Sequence, residues 1–272
     1  MNRIIKGLAM ILALTMLAAA AFACGGPVAP TTEAPAAAPE PEPESSLTIR
    51  PGVLIMATNA EFPPFEFIND AGEFDGFDVH LANAIANVLG LELVVDDMEF
   101  GAIIAAIDTG MVDIGIAAMS ITEERLETVN FTVPYFETTI VVIVPEDSDI
   151  TSVEDLETAT IAVQLGTTSD LIVEWELPDA SVIQMNRAPD TILELRAGRA
   201  DAIVIDADVA NQFIGDNPDL ILLDEILAVE SYGMAVNKGN PELLAAINNA
   251  LEELKNSGEY DRIFNMFFGG AG

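Results

Sequence analysis

The sequence predicts an α/β fold made of two halves, each a mainly parallel sheet covered by helices, joined by two extended crossings. Three observations predict it. Apolar runs of strand length alternate with helical periods through most of the chain. The alternation breaks at "ETTIVVIVPED" (137–147), a long extended run with no helix to part it into strands. A second such run, "AVESYGMAVNKG" (228–239), leads from the second half back into the first.

The elements follow in order. "VLIMAT" (53–58) is continuously apolar, as a strand buried on both faces must be. "DVHLANAIANVLG" (78–90) places Ala82, Ile85 and Leu89 on one helical face, with Asp78 as the expected N-cap and Gly90 as the C-cap. "LELVVD" predicts the next strand, "GAIIAAIDTG" a helix and "DIGIAAM" a strand. The second half repeats the pattern: strand "TIAVQL", helix "SDLIVEWE", helix "DTILELRAG" and strand "DAIVID". The closing stretch from Asn240 to Phe268 has Asn240 as N-cap, Pro241 at the first helical position and Gly258 ending the helix.

The amino terminus points outside the cytoplasm. "MNRIIK" is basic, and seventeen uncharged residues follow before Cys24, the single cysteine. This is the pattern of a secretory signal over residues 1–23. "AFAC" resembles the bacterial lipobox, which implies that Cys24 carries lipid and anchors the protein to the membrane. Residues 24–46 are rich in Pro, Ala and Glu and lack an apolar period. Such a segment cannot bury enough surface to offset its ordering entropy and reads as a tether. The formal net charge is -35, which excludes a nucleic-acid partner, since phosphate recognition needs Lys and Arg. No His and Cys residues stand at metal-ligand spacing, so neither metal nor cofactor is expected.

Seven stretches, in order, carry a resemblance: "ATNAEFPPFEF", "GFDVHLANAIANVLG", "SITEERLETVNFTVPYFET", "SVEDL", "IAVQLGTTS", "LRAGRADAIVIDADVA" and the run from "YGMAVNKG" to "YDRIF". Together they resemble the periplasmic-type substrate-binding proteins of amino-acid ABC transporters. The resemblance implies a flytrap: residues 47–137 and 231–272 form one lobe, residues 138–230 the other, and two strands join them. It implies a monomer that takes an α-amino acid to an ABC permease.

The same resemblance assigns the site. Arg125 takes the ligand carboxylate with Thr168 and Thr167, and a guanidinium suits this because it offers paired donors and stays charged when desolvated. Glu123, Glu124 and Glu127 are expected to point outward. Asp206 takes the ammonium with Ser120 and the backbone carbonyl of Ala118. Phe62, Phe100, Asn59 and Gln164 surround the side chain. Two amides and two rings suit a neutral polar ligand such as glutamine first; Glu61 argues for a basic amino acid second. A cyclohexadienyl dehydratase family shares this fold, so an enzyme is the competing class, with a ligand-sensing receptor domain as a third. With His80 the only histidine, the residues favour a binding protein over an enzyme.

Overall fold

The computed structural model describes residues 46–269; the signal segment 1–23, Cys24 and the tether up to residue 45 lie outside the described residues. Two sheets organise the molecule. The first runs Glu92–Asp97, Val53–Thr58, Ile114–Gly115, Ala235–Asn237, Val129–Phe131. Its first three strands are mutually parallel, and Ala235–Asn237 lies antiparallel to its neighbours. The second runs Ser181–Met185, Thr160–Gln164, Ala202–Asp206, Phe136–Pro145, Leu220–Leu222, with Ala228–Tyr232 also paired to Phe136–Pro145. Parallel pairing again belongs to the βα units, while the long strand Phe136–Pro145 is antiparallel to all its partners. The antiparallel strands are those that border the crossings, where no helix intervenes.

The strand Val53–Thr58 matches its apolar run because it is flanked on both sides in the sheet and covered by helices. The helix Phe77–Leu89 starts two residues earlier than the expected Asp78 cap implies. Its N-cap is Gly76, at φ 117°, and a Cβ there would lie 2.2 Å from the Phe65 carbonyl oxygen, so only glycine fits. Asp78 is therefore not the cap; it turns inward and is fully buried. Gly90 closes this helix in the left-handed region as expected. The last long helix, Pro241–Ser257, follows its sequence signals: the Asn240 side chain accepts from the Leu243 N–H, and Gly258 terminates it at φ 79°.

The two crossings run side by side. Thr132 N–H donates to the Met234 carbonyl at 3.0 Å and Tyr135 N–H to the Tyr232 carbonyl at 2.9 Å. Beneath them Phe65, Phe136 and Phe268 pack closely, with centroids 4.9 Å apart for Phe65–Phe136 and for Phe136–Phe268. Edge-to-face and tilted rings at this spacing give a rigid apolar floor under the junction.

Candidate ligand-binding site

Ligands of open α/β sheets gather beyond the carboxyl ends of the strands, and both sheets turn those ends toward one buried pocket. Asn59 and Phe62 follow the strand Val53–Thr58; Ala117, Ala118 and Ser120 follow Ile114–Gly115. From the other side, Gln164 and Asp206 end their strands, and Thr167 and Thr168 open the helix Thr168–Glu176. Glu66, Phe100 and Arg125 complete the wall.

Arg125 stands on the short helix Glu123–Thr128, whose N-cap Thr122 accepts from the Arg125 N–H at 3.2 Å. Glu123, Glu124 and Glu127 are exposed, while the guanidinium turns into the pocket. Nη1 donates to the Ser120 carbonyl at 2.7 Å and Nη2 to the Gly166 carbonyl at 3.2 Å, so the side chain ties the two sheets together. Its carbon lies 5.2 Å from the Phe100 ring centroid, a cation–π distance. Burial lowers its pKa, opposed by the charges of Glu230 and Asp206. It stays protonated: a guanidinium is not deprotonated in proteins.

The two threonines divide their work. Thr167 is the N-cap, its hydroxyl accepting from the Asp170 N–H at 3.3 Å and donating to the Gln164 carbonyl at 2.8 Å. That hydroxyl is consumed locally. Thr168 instead points into the pocket and donates to Glu230 Oε2 at 2.6 Å. Gly166, at φ 78°, makes the turn that separates strand from helix.

Three carboxyls lie buried at or beside the pocket. Asp206 sits at the N-cap position of the helix Ala207–Asp216 but does not cap it with its side chain; it accepts from the Tyr232 hydroxyl. Burial, reinforced by the Glu230 charge and opposed by the Tyr232 hydrogen bond, pushes its pKa up to about 7. Asp78 Oδ2 accepts from the Ala118 N–H and the Tyr135 hydroxyl, both at 2.8 Å, yet burial still raises it to about 6. This bond holds Ala118 at φ 44°, the one non-glycine residue in the left-handed region among those described. Glu66 is buried and raised well above the usual carboxylate range, first by desolvation and then by Asp78. Glu66 Oε2 and Asp78 Oδ1 are both buried without a hydrogen-bond partner.

The far end of the pocket is built from amides. Gln164 Nε2 donates to Asn59 Oδ1 at 2.9 Å and to the Asn186 carbonyl at 3.2 Å, and Asn59 Nδ2 donates to the Met98 carbonyl at 3.0 Å. Glu61 does not line the pocket with the others. It stands beside it, Oε1 paired with Arg187 Nε at 2.7 Å and Oε2 buried without a partner. The structure thus gathers every residue expected in the pocket except Glu61. Sequence reasoning missed Glu66, Ala117, Arg187 and Glu230. Glu66 and Ala117 stand within recognised stretches, "PPFEF" and "DIGIAAM", and their placement after a strand end was the available signal. Arg187 and Glu230 left none.

Among the described residues, no cluster of His, Cys, Asp and Glu is arranged to hold a metal ion, and no helix is long and apolar enough to cross a membrane. Two sheet-based lobes enclosing a pocket at their strand ends define a solute-binding protein of the two-lobed kind. Residues 54–270 match the model for bacterial extracellular solute-binding proteins, family 3, and the chain belongs to that family. It is 33% identical over 267 residues to a probable histidine-binding protein of Neisseria gonorrhoeae, covering 96% of this chain and 95% of the relative. It is 32% identical to the putative ABC transporter arginine-binding protein 2 of Escherichia coli K12, covering 78% and 89%. In structure it is similar to an ancestral arginine-binding protein bound to glutamine, with TM-score 0.78 and 42% identity over 81% of this chain and 99% of that one. These relatives are named for what they bind rather than for a reaction, and the family to which the chain belongs is one of solute-binding proteins.

Proposed function

We propose that the protein binds an α-amino acid between its lobes and delivers it to an ABC permease, held to the outer face of the membrane by lipid on Cys24. The observation that carries this is the meeting of Arg125 and Asp206 in one buried pocket, one from each sheet. Arg125 and the backbone N–H groups opening the helix Thr168–Glu176 suit a carboxylate. Asp206, Ser120 and the Ala118 carbonyl suit an ammonium. Arg125 brings a positive charge and Asp206 a carboxyl to the same pocket, so a zwitterion fits the pair.

For the side chain, the glutamine expectation relied on free amides at Asn59 and Gln164. Both are engaged with each other and with main-chain carbonyls. Glu61, by contrast, keeps one buried oxygen open for a donor. This favours a cationic side chain, and the likeness to a relative named as arginine-binding supports it. We therefore place arginine first. Glutamine is the second reading, supported by the similar ancestral protein that holds it.

A thermal-shift screen of the twenty amino acids tests the function, since a ligand at 100 times its dissociation constant adds about 2.7 kcal/mol of stability. Arginine is expected to raise the melting temperature most; no shift with any amino acid overturns the proposal. The anchor is tested separately, by whether Cys24→Ser releases the protein into the medium.

A further inference from the structure

Glu230 lies on the second crossing strand, Ala228–Tyr232, and pairs in register with Thr138 of the first. It is not a pocket-wall residue, yet its Oε2 accepts from Thr168 Oγ1 at 2.6 Å and also from Ser120 Oγ. The two hydroxyls are themselves 3.5 Å apart. One belongs to each side of the pocket, so a single carboxylate oxygen from the junction receives a proton from both.

That geometry decides what the hydroxyls can do. A serine or threonine hydroxyl has one proton to give and lone pairs to offer. With both protons spent on Glu230, Ser120 and Thr168 present only lone pairs to whatever fills the pocket. They cannot donate to a carboxylate, but they can accept from an ammonium. The carboxylate is then left to Arg125 and to main-chain N–H groups, and Thr168 contributes its N–H rather than its hydroxyl. Asp206, buried and already accepting from the Tyr232 hydroxyl, cannot by itself meet all three N–H donors of an ammonium. Two committed hydroxyls make up that shortfall.

We propose that Glu230 is a positioning residue that commits Ser120 and Thr168 to the ligand's ammonium, making the α-ammonium a condition of tight binding. This rests on the zwitterion reading above. The rival is a plain latch, in which Glu230 only holds the two sides together; a latch strengthens every ligand alike.

Calorimetry on the full chain separates them with two matched pairs: L-arginine against 5-guanidinopentanoate, and L-glutamine against glutaramate. The second of each pair lacks only the α-ammonium. Hydrogen bonds to charged groups correspond to roughly ten- to hundredfold in affinity each. The wild type is therefore expected to prefer the amino acid of a pair by about tenfold or more. In E230A the amino acid should weaken about tenfold, while its des-amino partner changes by less than about threefold because the freed hydroxyls can now donate to its carboxylate. E230Q, which keeps an acceptor oxygen, should retain most of the preference and covers the case in which E230A does not fold. Equal weakening of both members of a pair, or an unchanged preference in E230A, overturns the proposal in favour of the latch. A wild type that binds no amino acid is read before any variant is made, and it removes the proposed function itself together with this role.

Discussion

At the α end of the cleft Arg125 spends two donors on the Ser120 and Gly166 carbonyls and keeps the rest of its fork for a ligand, whereas at the far end Asn59 and Gln164 satisfy each other. The first is a charge held ready; the second is a pair of amides already bonded to each other and to main-chain carbonyls. The difference teaches where affinity and selectivity reside. On the proposed reading, binding common to all α-amino acids comes from the α end. Discrimination, on the same reading, falls to the far end, where Glu61 beside the pocket keeps one buried oxygen without a partner.

The largest expected effect breaks the α end. Arg125→Ala removes one partner of a desolvated pair, a loss of about 2–5 kcal/mol, or roughly thirtyfold to several thousandfold in affinity by calorimetry. The free protein should also melt lower, because the variant loses the bonds to the Ser120 and Gly166 carbonyls and leaves Glu230 and Asp206 without their counter-charge, so binding is compared at a temperature where both proteins are folded. Binding within about threefold of wild type would return Arg125 to the role of a solvated charge.

A smaller effect sharpens the contrast. Glu61→Gln should weaken L-arginine by roughly ten- to hundredfold while leaving L-glutamine within about threefold, since only a cation needs the carboxylate. If both ligands weaken together, Glu61 serves the Arg187 pair and not the ligand.

The smallest effect is in pH, and it separates the ends again because the raised carboxyls, Asp206, Asp78 and Glu66, lie toward the α end and the crossings. A carboxyl whose folded pKa is raised keeps a proton that the unfolded chain has already lost. Folding therefore takes up protons between the ordinary carboxylate range and about 7, and stability falls as pH rises through that window. The free protein should melt lower at pH 8 than at pH 5. A ligand ammonium favours ionised Asp206, so binding should release protons near neutrality and tighten by roughly tenfold between pH 5.5 and 7.5. A flat affinity profile would remove Asp206 from the ammonium.

How much of this was legible follows from sequence distance. Arg125, Thr168 and Asp206 each sit in a short local context, a capped helix or a strand end, and such contexts survive in the sequence as motifs. Strands buried on both faces, such as Val53–Thr58 and Thr160–Gln164, announced themselves by continuous apolar runs. "DIGIAAM" did not become a full strand: only Ile114–Gly115 pairs, and the chain turns away to Ala118 at φ 44°. Asp78 looked like a helix cap because its partners, Ala118 and Tyr135, lie 40 and 57 residues away. Glu230 was illegible for the same reason, with Ser120 and Thr168 at separations of 110 and 62 residues. Contacts closed only by the meeting of two sheets leave no local pattern.

The central claim is that the cleft recognises the α-carboxylate and α-ammonium as a pair. Calorimetric titration of the wild-type protein with L-arginine and with agmatine, which keeps the guanidinium but lacks the carboxylate, tests it most directly. Loss of the Arg125 partner predicts that agmatine binds at least about thirtyfold more weakly than L-arginine. Agmatine binding as tightly as L-arginine would contradict the account.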